Sequence, residues 1–142
     1  MMIRLGTDIV HIPRIAAALD RFGDRFLQRI YTLAEQQDCG YLQPPTNYYL
    51  TPYLAPFTAQ TSINQLAERW AAKEAVAKAL STGFRALSYT DIEIRRQPSG
   101  APQVFLYGTA ADLAASWGEC QWQLSLSHDR DYCIATALLV CD

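Results

Sequence analysis

Long apolar runs and an excess of basic residues are both missing from this sequence of 142 residues. The longest apolar run, near residues 132–141, is far too short to span a bilayer, so no membrane segment is expected. The net charge at pH 7 is −2, which argues against the broad basic footprint that duplex nucleic acid requires. No basic start leads into an apolar signal segment, so we expect a cytoplasmic protein with neither a membrane nor a nucleic-acid partner.

Cysteine motifs are absent as well. Cys39, Cys120, Cys133 and Cys141 show neither a Cys-x-x-Cys spacing nor companion histidines arranged as a zinc site. We interpret all four as reduced, mostly buried small hydrophobic side chains. Half of the residues are hydrophobic and 18% are charged, which is typical of a single globular domain covering residues 1–142.

The amino-terminal thirty residues predict a strand followed by two short helices. Residues 3–10 alternate and are rich in branched side chains, which predicts a strand that delivers Asp8 to its carboxyl end. Pro13 suits the first turn of a helix, and Gly23 is expected to end that helix. Residues 24–30 then predict a second short helical piece.

Residues 32–61 combine a helix start with an irregular segment. Thr32, with Glu35 three residues later, matches a capping box and predicts a further helix. Residues 40–61 contain four prolines and four tyrosines among few charges, with no sustained period. We predict that this segment is an irregular insertion in the domain.

The remaining sequence predicts one long helix and two pairs of strands. Residues 63–80 are dominated by alanine, with Asn64 as a candidate cap and Gly83 just past the end. Other predicted elements are strands at 89–96 and 103–107, a helix at 109–117, and strands at 121–127 and 132–140 joined at 128–131. This order predicts an α+β domain in which a mainly antiparallel sheet packs against one long helix.

Charged side chains stand beside the apolar stripe of the long helix. Glu74 and Lys78 are one turn apart, and Ala67 and Ala71 are expected to leave room around them. Lys73 falls within the stripe itself, where an ammonium must either snorkel to solvent or meet an anion. The alternative interpretation of Glu74 and Lys78 is an ordinary surface pair worth roughly a few tenths of a kcal/mol.

The string from residue 69 to residue 80, RWAAKEAVAKAL, resembles the central signature of the phosphopantetheinyl transferases. Three further segments resemble the short holo-acyl-carrier-protein synthase branch of that family, in the same order along the chain. They are GTDIV at 6–10 followed by Arg14; Phe26, Arg29, Thr32 and Glu35; and LSHD at 126–129 leading into Tyr132.

This resemblance implies an enzyme that transfers 4′-phosphopantetheine from coenzyme A to a serine of an apo-acyl carrier protein. Asp8 and Glu74 would bind Mg²⁺ and, together with Lys78, would be the catalytic residues. Coenzyme A contacts would come from Arg69, Lys73, Lys78, Ser127 and His128. The carrier protein would dock on Arg14, Arg21 and Arg25. The same resemblance implies a homotrimer.

Simpler interpretations stay open for several of these residues. Asp8 could cap the following helix, and Ser127 with His128 could form a plain turn. Arg21 and Arg25 could belong to a solvated face. At the level of the whole protein, the alternatives are a non-catalytic module that binds coenzyme A or a carrier protein, and a structural subunit with residues 40–61 at a partner interface.

Overall fold

The chain forms a mixed structure of helices and antiparallel strands. The computed structural model describes residues 1–41 and 59–142, so most of the predicted insertion at 40–61 lies outside the described residues. The amino-terminal elements are β1 (Met2–His11), α1 (Ile12–Phe22), α2 (Asp24–Ile30) and α3 (Leu33–Asp38). The others are α4 (Ala59–Ala79), a 3₁₀ turn (Tyr89–Asp91), β2 (Ile92–Arg96), β3 (Pro102–Leu106), α5 (Gly108–Ala115), β4 (Cys120–Asp129) and β5 (Tyr132–Cys141).

Two antiparallel sheets pack with the long helix α4. The larger sheet has the strand order β1-β5-β4, and β2 and β3 form a separate hairpin. Helix α4 lies against β1 and β5. At Gly6 the two elements come into close contact, because a Cβ atom at this position would overlap with the Ala75 carbonyl oxygen of α4. The prediction of an antiparallel sheet on one long helix is therefore confirmed.

The alanines of α4 between residues 67 and 77 are completely buried. Ala67, Ala71 and Ala75 have no exposed surface, and they let the sheet and the neighbouring elements approach the helix backbone. The expectation that Ala67 and Ala71 leave open space beside Glu74 is wrong, because the protein core fills that space.

Local signals placed most of the first helices correctly. Pro13 lies in the first turn of α1, and Gly23, with φ of 55°, separates α1 from α2. The Thr32 hydroxyl accepts a hydrogen bond from the Glu35 amide, and the Glu35 carboxylate accepts one from the Thr32 amide, so the capping box is confirmed.

Some element boundaries differ from the predicted ones. Helix α4 already includes Ala59, so Asn64 lies inside it and does not cap it. Residues 89–91 form a 3₁₀ turn before β2 and not the start of the strand. Strand β4 runs on to Asp129, so the last hairpin turns at residues 130–131, and the interpretation of Ser127 and His128 as a plain turn is wrong.

A disulfide joins Cys120 of β4 to Cys141 of β5. These residues are directly opposite each other in the register of the two strands. Cys39 and Cys133 are free and buried, as expected. The interpretation of all four cysteines as reduced is therefore wrong for one pair, because residues that are 21 positions apart meet only through the strand register.

Candidate active site

A cavity of about 300 Å³ lies between β1, α1 and α4. Asp8 of β1 and Glu74 and Lys78 of α4 all line it. Phe26 and Trp70, which stack with ring centroids 6.0 Å apart, form an aromatic wall on one side. The fold therefore brings together the three residues that the sequence predicted to be catalytic.

Asp8 reaches this cavity because the side chains of β1 alternate between the α4 side and the opposite face of the sheet. The Lys78 ammonium donates to Asp8 Oδ1 at 3.0 Å and to the Thr7 carbonyl at 2.9 Å. Lys78 is about half exposed, and its ion pair joins α4 to β1. Within the described part of the chain Lys78 ion-pairs with Asp8 and not with Glu74, so the i, i+4 surface-pair interpretation is wrong.

Glu74 is partly buried in the same cavity, and its Oε1 accepts a hydrogen bond from the Tyr89 hydroxyl at 3.0 Å. Burial raises the pKa of Glu74, and the nearby Asp8 carboxylate raises it further, while the Tyr89 hydrogen bond and Lys78 act in the opposite direction. Burial and the Glu74 carboxylate raise the pKa of Tyr89 to about 12, so the phenol is a neutral donor at pH 7.

Asp8 and Glu74 form a donor set that suits Mg²⁺. Among residues 1–41 and 59–142 there is no group of three or more histidine, cysteine, aspartate or glutamate side chains placed to hold a metal. Mg²⁺ does not require one, since it takes oxygen ligands, keeps several waters and is commonly bound by one or two carboxylates plus substrate phosphates. Two carboxylates lining one open cavity fit that chemistry.

Lys73 lies on the same helix but points into the core. Its side chain is completely buried, and its ammonium contacts Glu35 Oε1 at 2.6 Å and donates to the carbonyls of Tyr89 and Ile92. Burial lowers the pKa of Lys73, and the Glu35 carboxylate opposes this shift. The three ammonium protons are matched by three protein acceptors, so this geometry does not support Lys73 as a ligand of coenzyme A.

Arg69 is also buried. One guanidinium nitrogen lies 3.9 Å from Asp38 Oδ2, and another donates to the Gln65 carbonyl at 3.4 Å. Arg69 is not among the residues that line the Asp8 cavity. Its predicted contact with coenzyme A is therefore not supported by its position in this chain.

Ser127 and His128 lie at the exposed end of β4. In the strand register Ser127 is opposite Ile134 of β5, which is opposite Ile9 of β1. His128 Nδ1 lies 3.3 Å from Glu68 Oε1 of α4. Both residues line a separate depression, so one chain does not bring them into the cavity of Asp8 and Glu74.

The three arginines predicted for carrier docking lie in different surroundings. Arg14 lines the Asp8 cavity. Arg25 lines an adjoining cavity of about 360 Å³ that shares the aromatic wall. The Arg21 guanidinium lies over the Phe22 ring at 5.1 Å. Because Gly23 ends α1, the three arginines do not lie on one continuous helical face.

The family model of the 4′-phosphopantetheinyl transferase superfamily matches residues 4–137 of this chain. The chain belongs to this superfamily. Its resemblance to the transferases, which was carried by the string at 69–80 and three other segments, is thereby confirmed.

Relatives that align with almost the whole chain are named holo-[acyl-carrier-protein] synthases. A holo-[acyl-carrier-protein] synthase of Gloeobacter violaceus is 45% identical over 137 residues, which cover 96% of this chain and 92% of the relative. The crystal structure of the holo-[acyl-carrier-protein] synthase from Neisseria meningitidis has a TM-score of 0.74 at 34% identity, covering 98% of this chain and 99% of that one. A Helicobacter pylori synthase in complex with coenzyme A has a TM-score of 0.72 at 29% identity, covering 96% and 99%.

Two site features of this superfamily member were not found from the sequence. Tyr89 is 15 residues from Glu74, and no periodic pattern links them. The sequence places Glu35 in a capping box and in a segment that resembles the family, but it does not predict that the carboxylate pairs with Lys73 and accepts a hydrogen bond from the Ile94 amide. The apolar position of Lys73 was the available signal, since it required an anion in the core.

Proposed function

We propose that this chain transfers the 4′-phosphopantetheine group of coenzyme A to a serine of an apo-acyl carrier protein, releasing adenosine 3′,5′-bisphosphate. The observation that carries the proposal is the meeting of Asp8, Glu74 and Lys78 in one cavity. The chain belongs to the transferase superfamily, and its full-length relatives are named holo-[acyl-carrier-protein] synthases.

In the proposed reaction the serine oxygen forms a bond to the β-phosphorus of coenzyme A, and the bond from that phosphorus to the oxygen bridging the two phosphates breaks. The serine proton passes to Glu74, either directly or through a water molecule. Lys78 would hold a phosphate oxygen or the charge that develops on the leaving group. Its half-exposed ammonium is suited to this role because Asp8 and the Thr7 carbonyl fix its position.

Asp8 and Glu74 would hold the Mg²⁺ ion. When bound, the ion would neutralise charge on the pyrophosphate of coenzyme A. The carboxylate of Asp8 is mostly buried and already paired with Lys78, so it is oriented toward the cavity before any ligand enters.

The carrier protein would dock beside this cavity. Arg14 lines it directly, and Arg25 lines the adjoining cavity across the aromatic wall. Arg21 is exposed on the last turn of α1. Basic side chains around the reaction site would attract an acidic surface of the carrier and set its orientation.

An assembly of several copies is part of the proposal. On the sheet face opposite α4, Ile3, Leu5 and Ile9 of β1 are exposed by 57%, 64% and 63%, and Ile134 of β5 by 43%. An apolar sheet face of this kind is typical of an interface. We propose the homotrimer that the resemblance implies, in which Ser127 and His128 of a neighbouring copy would approach coenzyme A.

Residues 1–142 are proposed to act as a single domain, with the insertion at 40–61 as part of it.

The location of the enzyme is proposed to be cytoplasmic. Among the described residues no helix is both long enough and apolar enough to cross a membrane. The Cys120–Cys141 disulfide argues against this location, because disulfides are rare in reducing compartments.

Intact-protein mass spectrometry tests the proposed activity. An apo-acyl carrier protein is incubated with this chain, coenzyme A and Mg²⁺, with EDTA replacing the metal in a control. We expect a gain of one phosphopantetheine mass that depends on the metal. No gain on several carrier proteins, together with retained binding of coenzyme A, would instead indicate a non-catalytic binding module.

A further inference from the structure

Helix α4 holds both ends of Tyr89 through two consecutive residues. The Lys73 ammonium donates to the Tyr89 carbonyl at 2.9 Å. The Tyr89 hydroxyl in turn donates to Glu74 Oε1 at 3.0 Å. The tyrosine therefore connects a buried part of the core to a carboxylate that lines the candidate active site.

The ring of Tyr89 is fixed as firmly as its ends. It stacks on Phe84 with a centroid separation of 3.7 Å and an interplanar angle of 17°. It also packs against Trp70 of the aromatic wall, with a centroid separation of 5.1 Å and an interplanar angle of 32°. Rotation of the ring away from Glu74 would break both aromatic contacts.

The backbone of Tyr89 is anchored by buried polar contacts. Lys73, which holds its carbonyl, is completely buried and pairs with Glu35. Glu35 in turn accepts hydrogen bonds from the amides of Thr32 and Ile94. The position of the phenol is thus determined by the packed core and not by a mobile loop.

We propose that Tyr89 is a positioning residue for Glu74. Its hydroxyl engages one carboxylate oxygen, Oε1, and so holds the carboxyl group in one rotamer with the second oxygen left for a divalent cation. This matters because Mg²⁺ requires nearly ideal octahedral geometry, and hydrogen-bond partners of metal ligands orient those ligands. The inference rests on the proposed function and adds to it a residue outside the segments that carried the family resemblance.

The test compares two tyrosine-to-phenylalanine variants. Tyr89→Phe keeps the ring between Phe84 and Trp70 and keeps the carbonyl that Lys73 holds, and it removes only the hydroxyl. Tyr107→Phe is the matched control, because the Tyr107 hydroxyl also donates to a carboxylate, Glu93 Oε1 at 3.2 Å, and Glu93, unlike Glu74, does not line the Asp8 cavity.

The first readout is the affinity for Mn²⁺. It is measured by electron paramagnetic resonance with coenzyme A present and no carrier protein. We expect Tyr89→Phe to bind Mn²⁺ about 10- to 100-fold more weakly than the wild type, as is typical when a partner of a metal ligand is removed. Tyr107→Phe should bind like the wild type. In steady-state transfer kinetics, Tyr89→Phe should lower kcat while the KM for coenzyme A stays close to the wild-type value.

Two results would overturn the inference: wild-type Mn²⁺ affinity in Tyr89→Phe, or an equal loss of affinity in both variants. The proposed function is judged separately by whether the wild-type chain transfers phosphopantetheine. A wild type that transfers beside a Tyr89→Phe variant with unchanged Mn²⁺ affinity would reject the role of Tyr89 and leave the proposed function intact.

Discussion

Lys73 and Glu35 form an ion pair of 2.6 Å in which both side chains are completely buried. The pair joins α4 to the amino-terminal end of α3, and the Lys73 ammonium also reaches the carbonyls of Tyr89 and Ile92. One lysine of α4 therefore links α3, the 3₁₀ turn and β2 to this helix. This arrangement gives Lys73 a structural role, although it stands next to Glu74 in the transferase signature.

Lys73→Met should destabilise the fold, because it leaves the Glu35 carboxylate buried without a cation. Breaking a buried pair by removing one partner costs about 3–5 kcal/mol. Urea unfolding followed by circular dichroism measures this loss. The double variant Lys73→Met, Glu35→Gln should recover part of the stability, since neither position then carries a buried charge without a partner. An unchanged unfolding midpoint with weakened coenzyme A binding would restore Lys73 as a ligand.

Gly6→Ala should destabilise the protein by about 1–3 kcal/mol or more, because the added Cβ overlaps with the α4 backbone, which cannot move aside as a side chain can. Gln28→Ala on the exposed side of α2 is the control and should change the free energy of unfolding by less than about 0.5 kcal/mol. If Gly6→Ala unfolds at the same urea concentration as the control, β1 and α4 do not pack as closely as described.

The parts of the fold that the sequence predicted correctly depend on local signals. The capping box at Thr32 and Glu35, the glycine break at Gly23 and the alanine-rich α4 can each be recognised within a few residues. The contact between Tyr89 and Glu74 and the disulfide between Cys120 and Cys141 require tertiary packing or strand register. No pattern within a single element encodes such contacts.

For the same reason, the sequence predicted only part of the candidate site correctly. Asp8, Glu74 and Lys78 were found because their segments resemble a known family, and the fold places them in one cavity. Ser127 and His128 belong to a resembling segment too, but in one chain they lie elsewhere. The sequence of a single chain does not show which residues a second copy brings to a site.

Metal activation should depend on pH through Glu74. Because its pKa is raised above the ordinary value of 4.5, Glu74 holds its proton at higher pH than an exposed glutamate does. Protons then compete with the cation as the pH falls through that raised pKa. We expect the Mg²⁺ concentration for half-maximal transfer to rise as the pH is lowered toward about 5, in assays at constant ionic strength. A pH-independent value would contradict the placement of Glu74 at the metal.

The same shift predicts a stability effect in the metal-free chain. A carboxyl group whose pKa is higher in the folded than in the unfolded state binds its proton more tightly when folded. Ionisation of Glu74 therefore lowers the free energy of unfolding as the pH rises from the ordinary pKa of 4.5 through the raised pKa of the folded state. Glu74→Gln removes that ionisation, so the variant should gain stability relative to the wild type with rising pH, as measured by unfolding at a series of pH values.

Arg14→Glu should weaken carrier binding far more than coenzyme A binding. Reversing the charge places a carboxylate where an acidic carrier surface would approach, and like charges across an interface are costly. Surface plasmon resonance with an immobilised apo-carrier protein measures the first affinity, and calorimetric titration with coenzyme A serves as the internal control. Equal losses in both would remove Arg14 from the docking surface.

Single-turnover phosphopantetheine transfer by Glu74→Gln, compared with the wild type by intact-protein mass spectrometry, tests the central claim most directly. Glutamine keeps an oxygen that can accept the Tyr89 hydrogen bond and removes only the charge and the proton acceptor. We predict a rate at least about 100-fold below the wild type, with an unchanged circular dichroism spectrum. A near-normal rate in the folded variant would contradict the assignment of Glu74 as a metal ligand and proton acceptor in this cavity.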